Sequence, residues 1–118
     1  MPPRDWKMRI EDILDAIAAI QEYTFDMTAE VFAGDRRTVD AVLRNITIIG
    51  EAAGNVPVEV AEAHPEVPWK VMREFRHVVV HVYFGVRLSI VWDTIQNDLP
   101  PLVPPLKRLL GEDPSTAS

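Results

Sequence analysis

From Trp6 onward, the positions Trp6, Ile10, Ile13, Ile17, Ile20, Thr24, Met27 and Val31 step along the chain by four and three. That spacing stacks side chains on one face of an α-helix and is incompatible with the period of two that a half-buried strand requires. The first four turns carry the pattern most clearly. Tyr23 to Asp26 interrupts it, and a short second helix is predicted from about Thr28 to Ala33, ending before Gly34. Asp35 is placed to cap the next helix. Val39, Val42, Leu43, Ile46, Ile49 and Ala53 then form the buried stripe of a second long helix that stops near Gly54 and Pro57.

The remainder reads the same way. Val58 to Ala63 supplies one loose turn, ended by His64-Pro65, with His64 read as a surface loop residue. Pro68 suits the first position of a new helix beginning around Trp69, because the N–H that proline lacks has no partner there anyway. The valine-rich stretch from Val78 to Phe84 has strand-like propensity, so a β reading is the main structural alternative. Helix is preferred: Lys70, Arg73, Arg76 (or His77) and Val80 recur at helical steps, no alternating partner strand is visible, and Gly85 is a natural stop. Leu88, Val91, Trp92 and Ile95 give a further helix, and Pro100-Pro101 permits a last one from about Leu102 through Leu110. Trp6, Trp69 and Trp92 are read as core or dimer anchors rather than platforms for base stacking. The expected fold is an all-α, antiparallel bundle of four to five helices, with the domain spanning 1–112 and a frayed tail at 113–118.

Composition excludes several classes. A chain of 118 residues builds one core, and 47% apolar with 25% charged residues is an ordinary globular balance. No basic segment followed by an apolar one opens the chain, and no apolar run is long enough to span a bilayer; a soluble, cytoplasmic protein is expected. With no cysteine there is neither a disulfide framework nor a thiolate zinc site. A net charge of −6 opposes a general positive field for coating nucleic acid, and no DNA partner is expected. The charge is uneven, however. Between Lys70 and Arg87, four cations (Lys70, Arg73, Arg76, Arg87) stand against Glu74 alone, and the same segment holds His77 and His81. Such focusing suits a local anion such as a phosphodiester.

The run from Arg76 to Tyr83 carries the chemistry. Arginine is a fixed cation whose planar fork matches phosphate, and imidazole gives or takes a proton near neutrality. His77 and His81 are four apart and share a helical face, whereas Arg76 and His81 are five apart and about 140° apart around the axis. One copy of the helix makes a sparse active site; two copies across a twofold axis would surround one cleft with two arginines and up to four imidazoles, so a homodimer is expected. Arg44 and Glu51, seven apart, share a face of the second long helix and either brace Arg76 or His81 or form a surface pair. Two rival readings use the same residues. One is a His/Glu metal-binding bundle, since His77 and His81 can share an ion and Glu74-x-x-His77 is half of a dimetal motif; the other is a catalytically silent module that binds nucleotide or a partner.

The order of these residues resembles the HepT-like members of the HEPN superfamily, small helical ribonuclease toxins that pair with minimal nucleotidyltransferase antitoxins. The resemblance runs from about Asp5 to Leu110. It rests on Ala41 to Ala52 (Arg44-Asn45 leading to Gly50-Glu51-Ala52), on Val67-Pro68-Trp69, on Met72 to His77 leading to His81-Val82-Tyr83-Phe84, and on Val91-Trp92 before Asp98-Leu99-Pro100. Family members most often carry asparagine directly after the arginine; here His77 stands in that place. The resemblance implies a type VII toxin–antitoxin pair and a metal-independent endoribonuclease that needs no cofactor. Arg76 would bind phosphate, His81 would be the catalytic histidine, and His77, Arg73, Glu51 and Arg44 would be auxiliary groups. Tyr83 would be the tyrosine that the antitoxin modifies with AMP. The implied partners are an RNA substrate, the nucleotidyltransferase antitoxin and a second copy of the chain.

Overall fold

The computed structural model of the protein describes residues 5–83 and 88–111, and of residues 79–83 the helical backbone alone. Every element among the described residues is helical. The Gly85 stop, Arg87 of the basic island and the tail at 113–118 lie outside the described residues.

The first helix, α1 (Trp6–Thr24), starts where the Asp5 carboxylate accepts the Lys7 N–H at 3.0 Å. It buries Ile10, Ile13, Ile17 and Ile20 almost completely, each such side chain stabilising the fold by about 1.5–3 kcal/mol. Thr24 closes the seam, its buried hydroxyl paired by donating to the Ile20 carbonyl at 2.8 Å. The chain then turns through Asp26, whose φ of 62° is left-handed, a conformation that aspartate tolerates better than most residues. This turn resets the register. The seam extrapolated to Val31 is therefore wrong by one position: in α2 (Ala29–Gly34), capped by Thr28, Phe32 is buried and Val31 is 55% exposed.

Asp35 caps α3 (Arg36–Gly54) as expected, accepting the Thr38 N–H at 3.1 Å and the Thr38 hydroxyl at 2.9 Å. These bonds hold its carboxyl below the ordinary carboxylate value. Val39, Val42, Leu43, Ile46, Ile49 and Ala53 are all buried, and α3 is the central helix, packed on one side by α1 and on another by α5. The short α4 (Val58–Ala63) leads into α5 (Trp69–Tyr83), which begins directly after Pro68, as the missing N–H predicts. The helical reading of the valine run holds through Tyr83.

The last segment is less regular than its apolar spacing suggests. After α6 (Leu88–Asp93) the chain winds wider through a π turn at Thr94–Asp98, in which the Leu99 N–H reaches back five residues to the Thr94 carbonyl at 3.1 Å. A 3₁₀ turn over Pro100–Leu102 comes next, where two prolines lack N–H groups, and α7 (Val103–Leu109) then packs against α1. The tryptophans divide between core and rim. Trp69 is buried, while half-buried Trp92 sits 5.3 Å from the Phe32 ring and ties α6 to α2. No helix among the described residues is long and apolar enough to cross a membrane.

Candidate functional site

Helix α5 has two dissimilar sides. Trp69, Met72 and Phe75 step by three into the core, and Val78 is half-buried one step further. Lys70, Arg73, Glu74 and His77 lie on the exposed side. The only ion pair that any of these makes among the described residues is Lys70 with Glu74, 4.0 Å apart, with the lysine side chain 87% exposed. A pair so open to water contributes at most about 1 kcal/mol.

Arg76 belongs to neither side. Its neighbours in helical projection are the buried Trp69 and Met72, yet the residue itself is exposed, so its stem leaves from the seam where α5 meets α3. The seam is narrow there because α3 has no side chain opposite. A Cβ placed on Gly50 would stand 2.6 Å from Arg76 Cγ, 3.3 Å from the Arg76 nitrogen and 3.4 Å from the Met72 carbonyl oxygen. Two of those three contacts are with backbone, which cannot swing aside. Gly50 is thus glycine for space rather than for backbone conformation. Sequence reasoning placed it within a motif but missed this role. The signal was present: glycine inside a long helix costs about 1 kcal/mol relative to alanine, so its retention there points to a close approach.

Arg44 and Glu51 are exposed on α3, and Glu51 is adjacent in sequence to Gly50. They share a helical face but form no ion pair with each other or with Arg76 among the described residues, where the pairs are Arg36–Asp40, His64–Glu66 and Lys70–Glu74. His77 occupies the exposed side of α5, in line with Lys70 and Arg73. His81 and Tyr83 hold helical positions in the last turn of α5, and their side chains lie outside the described residues. Backbone register alone puts the His81 position about 140° around the helix from Arg76 and four residues beyond His77 on one face. No cluster of three or more metal-binding side chains occurs among the described residues, which do not include the His81 side chain.

The start of α5 is pinned from below. The Trp69 indole N–H donates to the His64 carbonyl at 3.0 Å, tying the helix to the loop that precedes it. His64 is half-buried in that loop, its ring 3.3 Å from Glu66. Above this joint a surface groove of about 420 Å³ runs between α4 and α5, with Val58, Ala61, Pro68, Lys70 and Arg73 among its walls.

The family described as ribonuclease HepT-like matches residues 13–109, which include Gly50, Arg76, His81 and Tyr83. Similar proteins span nearly the same length. "Probable ribonuclease HepT" of Thermococcus cleftensis is 40% identical over 106 residues, covering 90% of this chain and 96% of that protein. A candidate RNase of Methanocaldococcus jannaschii is 36% identical over 117 residues, covering 96% of this chain and 97% of its own. Another, from Caldanaerobacter subterraneus, is 36% identical over 104 residues, with 88% and 93% covered. No solved structure matches the chain.

Proposed function

Because this chain belongs to the HepT-like ribonuclease family, we propose that it is a metal-independent endoribonuclease toxin working as a homodimer, with Arg76 and His81 at the cleft. The observation that carries this reading is the family match over 13–109. It is supported by Arg76, a cation held on a rigid seam with its side chain open to solvent.

The chemistry requires two proton transfers and one fixed charge. His81, neutral, takes the proton of a ribose 2′-hydroxyl as that oxygen attacks the adjacent phosphorus. Arg76 stabilises the negative charge that gathers on the phosphoryl oxygens in the pentacoordinate transition state. The bond from phosphorus to the 5′-oxygen breaks, and a protonated imidazole from the second protomer gives that oxygen its proton. The products are a 2′,3′-cyclic phosphate and a free 5′-hydroxyl. Within one protomer, Arg76 and the His81 position face about 140° apart, which favours a site completed across a twofold axis. His77, Arg73, Arg44 and Glu51 surround the cleft as auxiliary groups.

Control arises from the same run. A nucleotidyltransferase antitoxin transfers AMP to Tyr83: the phenolic oxygen attacks the α-phosphorus of ATP, pyrophosphate leaves and the phenol loses its proton. The adduct places bulk and negative charge beside a phosphate site and repels RNA. Tyr83→Phe keeps the ring but lacks the acceptor, so it should gain no AMP by intact mass and should stay active in the presence of antitoxin and ATP.

The arrangement is tested by mixing chains. Arg76→Ala and His81→Ala homodimers should both be inactive, whereas a mixed dimer of the two keeps one Arg76 and one His81 across the interface and should recover partial cleavage, limited by the missing second His81 imidazole. A wild-type monomer with full activity at concentrations where no dimer sediments contradicts it.

A further inference from the structure

Arg76 is the last of three cations at a spacing of three. Lys70, Arg73 and Arg76 all have exposed side chains, and each step rises about 4.5 Å along α5 while turning about 60° back around it. Residues so spaced form a continuous ridge with about 5–6 Å between successive Cβ atoms. Beside the first two runs the groove between α4 and α5, with Val58, Ala61, Pro65 and Pro68 offering apolar wall and Glu62 as the acidic residue on its α4 side. The groove has a firm base, because Trp69 beneath it is 6% exposed and hydrogen-bonded to the His64 carbonyl. A chain of phosphates with bases attached is the complement of this surface: a repeating negative charge to meet the cations and flat apolar faces to lie on the groove wall.

We propose that Lys70 and Arg73, together with the groove between α4 and the start of α5, form a subsite for unpaired RNA next to the phosphate that Arg76 holds. Lys70 and Arg73 meet the neighbouring phosphates along the ridge, and one base leaves the strand to lie against Pro68 and Val58. The occupant is a single strand: the three cations turn around α5 as they climb, a path that a flexible strand can take and a stiff duplex cannot. The Glu74 carboxylate is no obstacle, since its pair with Lys70 is stretched to 4.0 Å and exchanges easily for a phosphate. Glu62 at the far wall disfavours a phosphate in the groove itself and leaves that space to the base.

This inference rests on the ribonuclease reading, and its test separates the two. Binding of an unstructured fluorescent oligouridylate is measured against salt with the His81→Ala chain, alone and combined with Lys70→Ala and Arg73→Ala; cleavage of a single-phosphate dinucleotide and of a longer RNA is measured with His81 intact. Removing two phosphate contacts should reduce the slope of log affinity against log salt by about 1.4, at about 0.7 per contact on a single strand. The Lys70→Arg, Arg73→Lys exchange, which keeps both charges, should restore the slope. With His81 intact, Lys70→Ala should cleave the dinucleotide at the wild-type rate and lose about threefold or more in kcat/KM on the longer RNA. An unchanged slope, or equal losses on both substrates, overturns the subsite. A wild-type chain that cleaves neither RNA overturns the ribonuclease reading, while the binding slopes still decide whether the ridge holds RNA.

Discussion

Helices α1 and α5 pack on the same central helix yet are built in opposite ways. Along α1 the buried line is aliphatic and unbroken, with Ile10, Ile13, Ile17 and Ile20 each 1% exposed or less. Along α5 the buried line is Trp69, Met72 and Phe75, after which the contact with α3 passes through a glycine and an arginine stem rather than interlocking side chains. One helix gives its surface to the core and the other keeps a cationic ridge in solvent. If the proposed function holds, changes in the α1 line should act on stability and changes in the α5 ridge on chemistry.

The largest expected effect is on α5. His81→Ala should lower cleavage by about 100- to 10,000-fold, the range that a positioned acid–base group contributes, with the thermal midpoint little changed. A His81→Ala chain that cleaves normally would remove the base from the mechanism. On α1 the reverse is expected. Ile13→Ala should cost about 2–5 kcal/mol in denaturant unfolding through lost burial and a residual cavity, while the folded fraction keeps its kcat. A selective loss of kcat there would show that the two helices are not separable.

Gly50→Ala probes a place, among the described residues, where the scaffold meets the proposed site. The methyl has no room beside the Arg76 and Met72 backbone, so an overpacking cost of about 1–3 kcal/mol is expected, together with a fall in cleavage as Arg76 is displaced. The activity loss should persist under conditions where the variant is fully folded. Full activity in the folded variant would mean that the position of Arg76 tolerates movement. The smallest effect concerns the cap of α3. Asp35 has a lowered pKa in the folded state, so its contribution is fully present above the ordinary value of 3.8 and is lost as pH falls through the lowered one. Asp35→Asn should therefore flatten the acid limb of stability against pH and leave cleavage near neutrality untouched; an unaltered acid limb would mean that the cap is not coupled to folding.

The same contrast explains how far the sequence could be read. The apolar periods of α1 and α3, the Asp35 cap and the Pro68 start are local rules, set by residues within a turn or two of each other, and all appear in the structure. The failures come where distant residues decide. Val31 lost its predicted burial because the left-handed Asp26 turn shifts the register, and the π turn at Thr94–Asp98 arises where a helix must keep Ile95 and Leu99 buried while running into Pro100-Pro101. In the site, the run from Arg76 to Tyr83 stood out by composition. The role of Gly50 did not, because its partner lies on another helix 26 residues away in the chain. The Lys70 and Arg73 ridge was visible as charge, but the groove beside it required the fold.

The most direct measurement is the chemistry of the RNA ends. Cleavage by the purified protein in excess chelator should continue at an undiminished rate and leave a 2′,3′-cyclic phosphate and a 5′-hydroxyl, with both ends absent from a parallel Arg76→Ala reaction. Products bearing a 5′-phosphate and a 3′-hydroxyl, or cleavage that stops in chelator and returns with a divalent ion, would contradict the account.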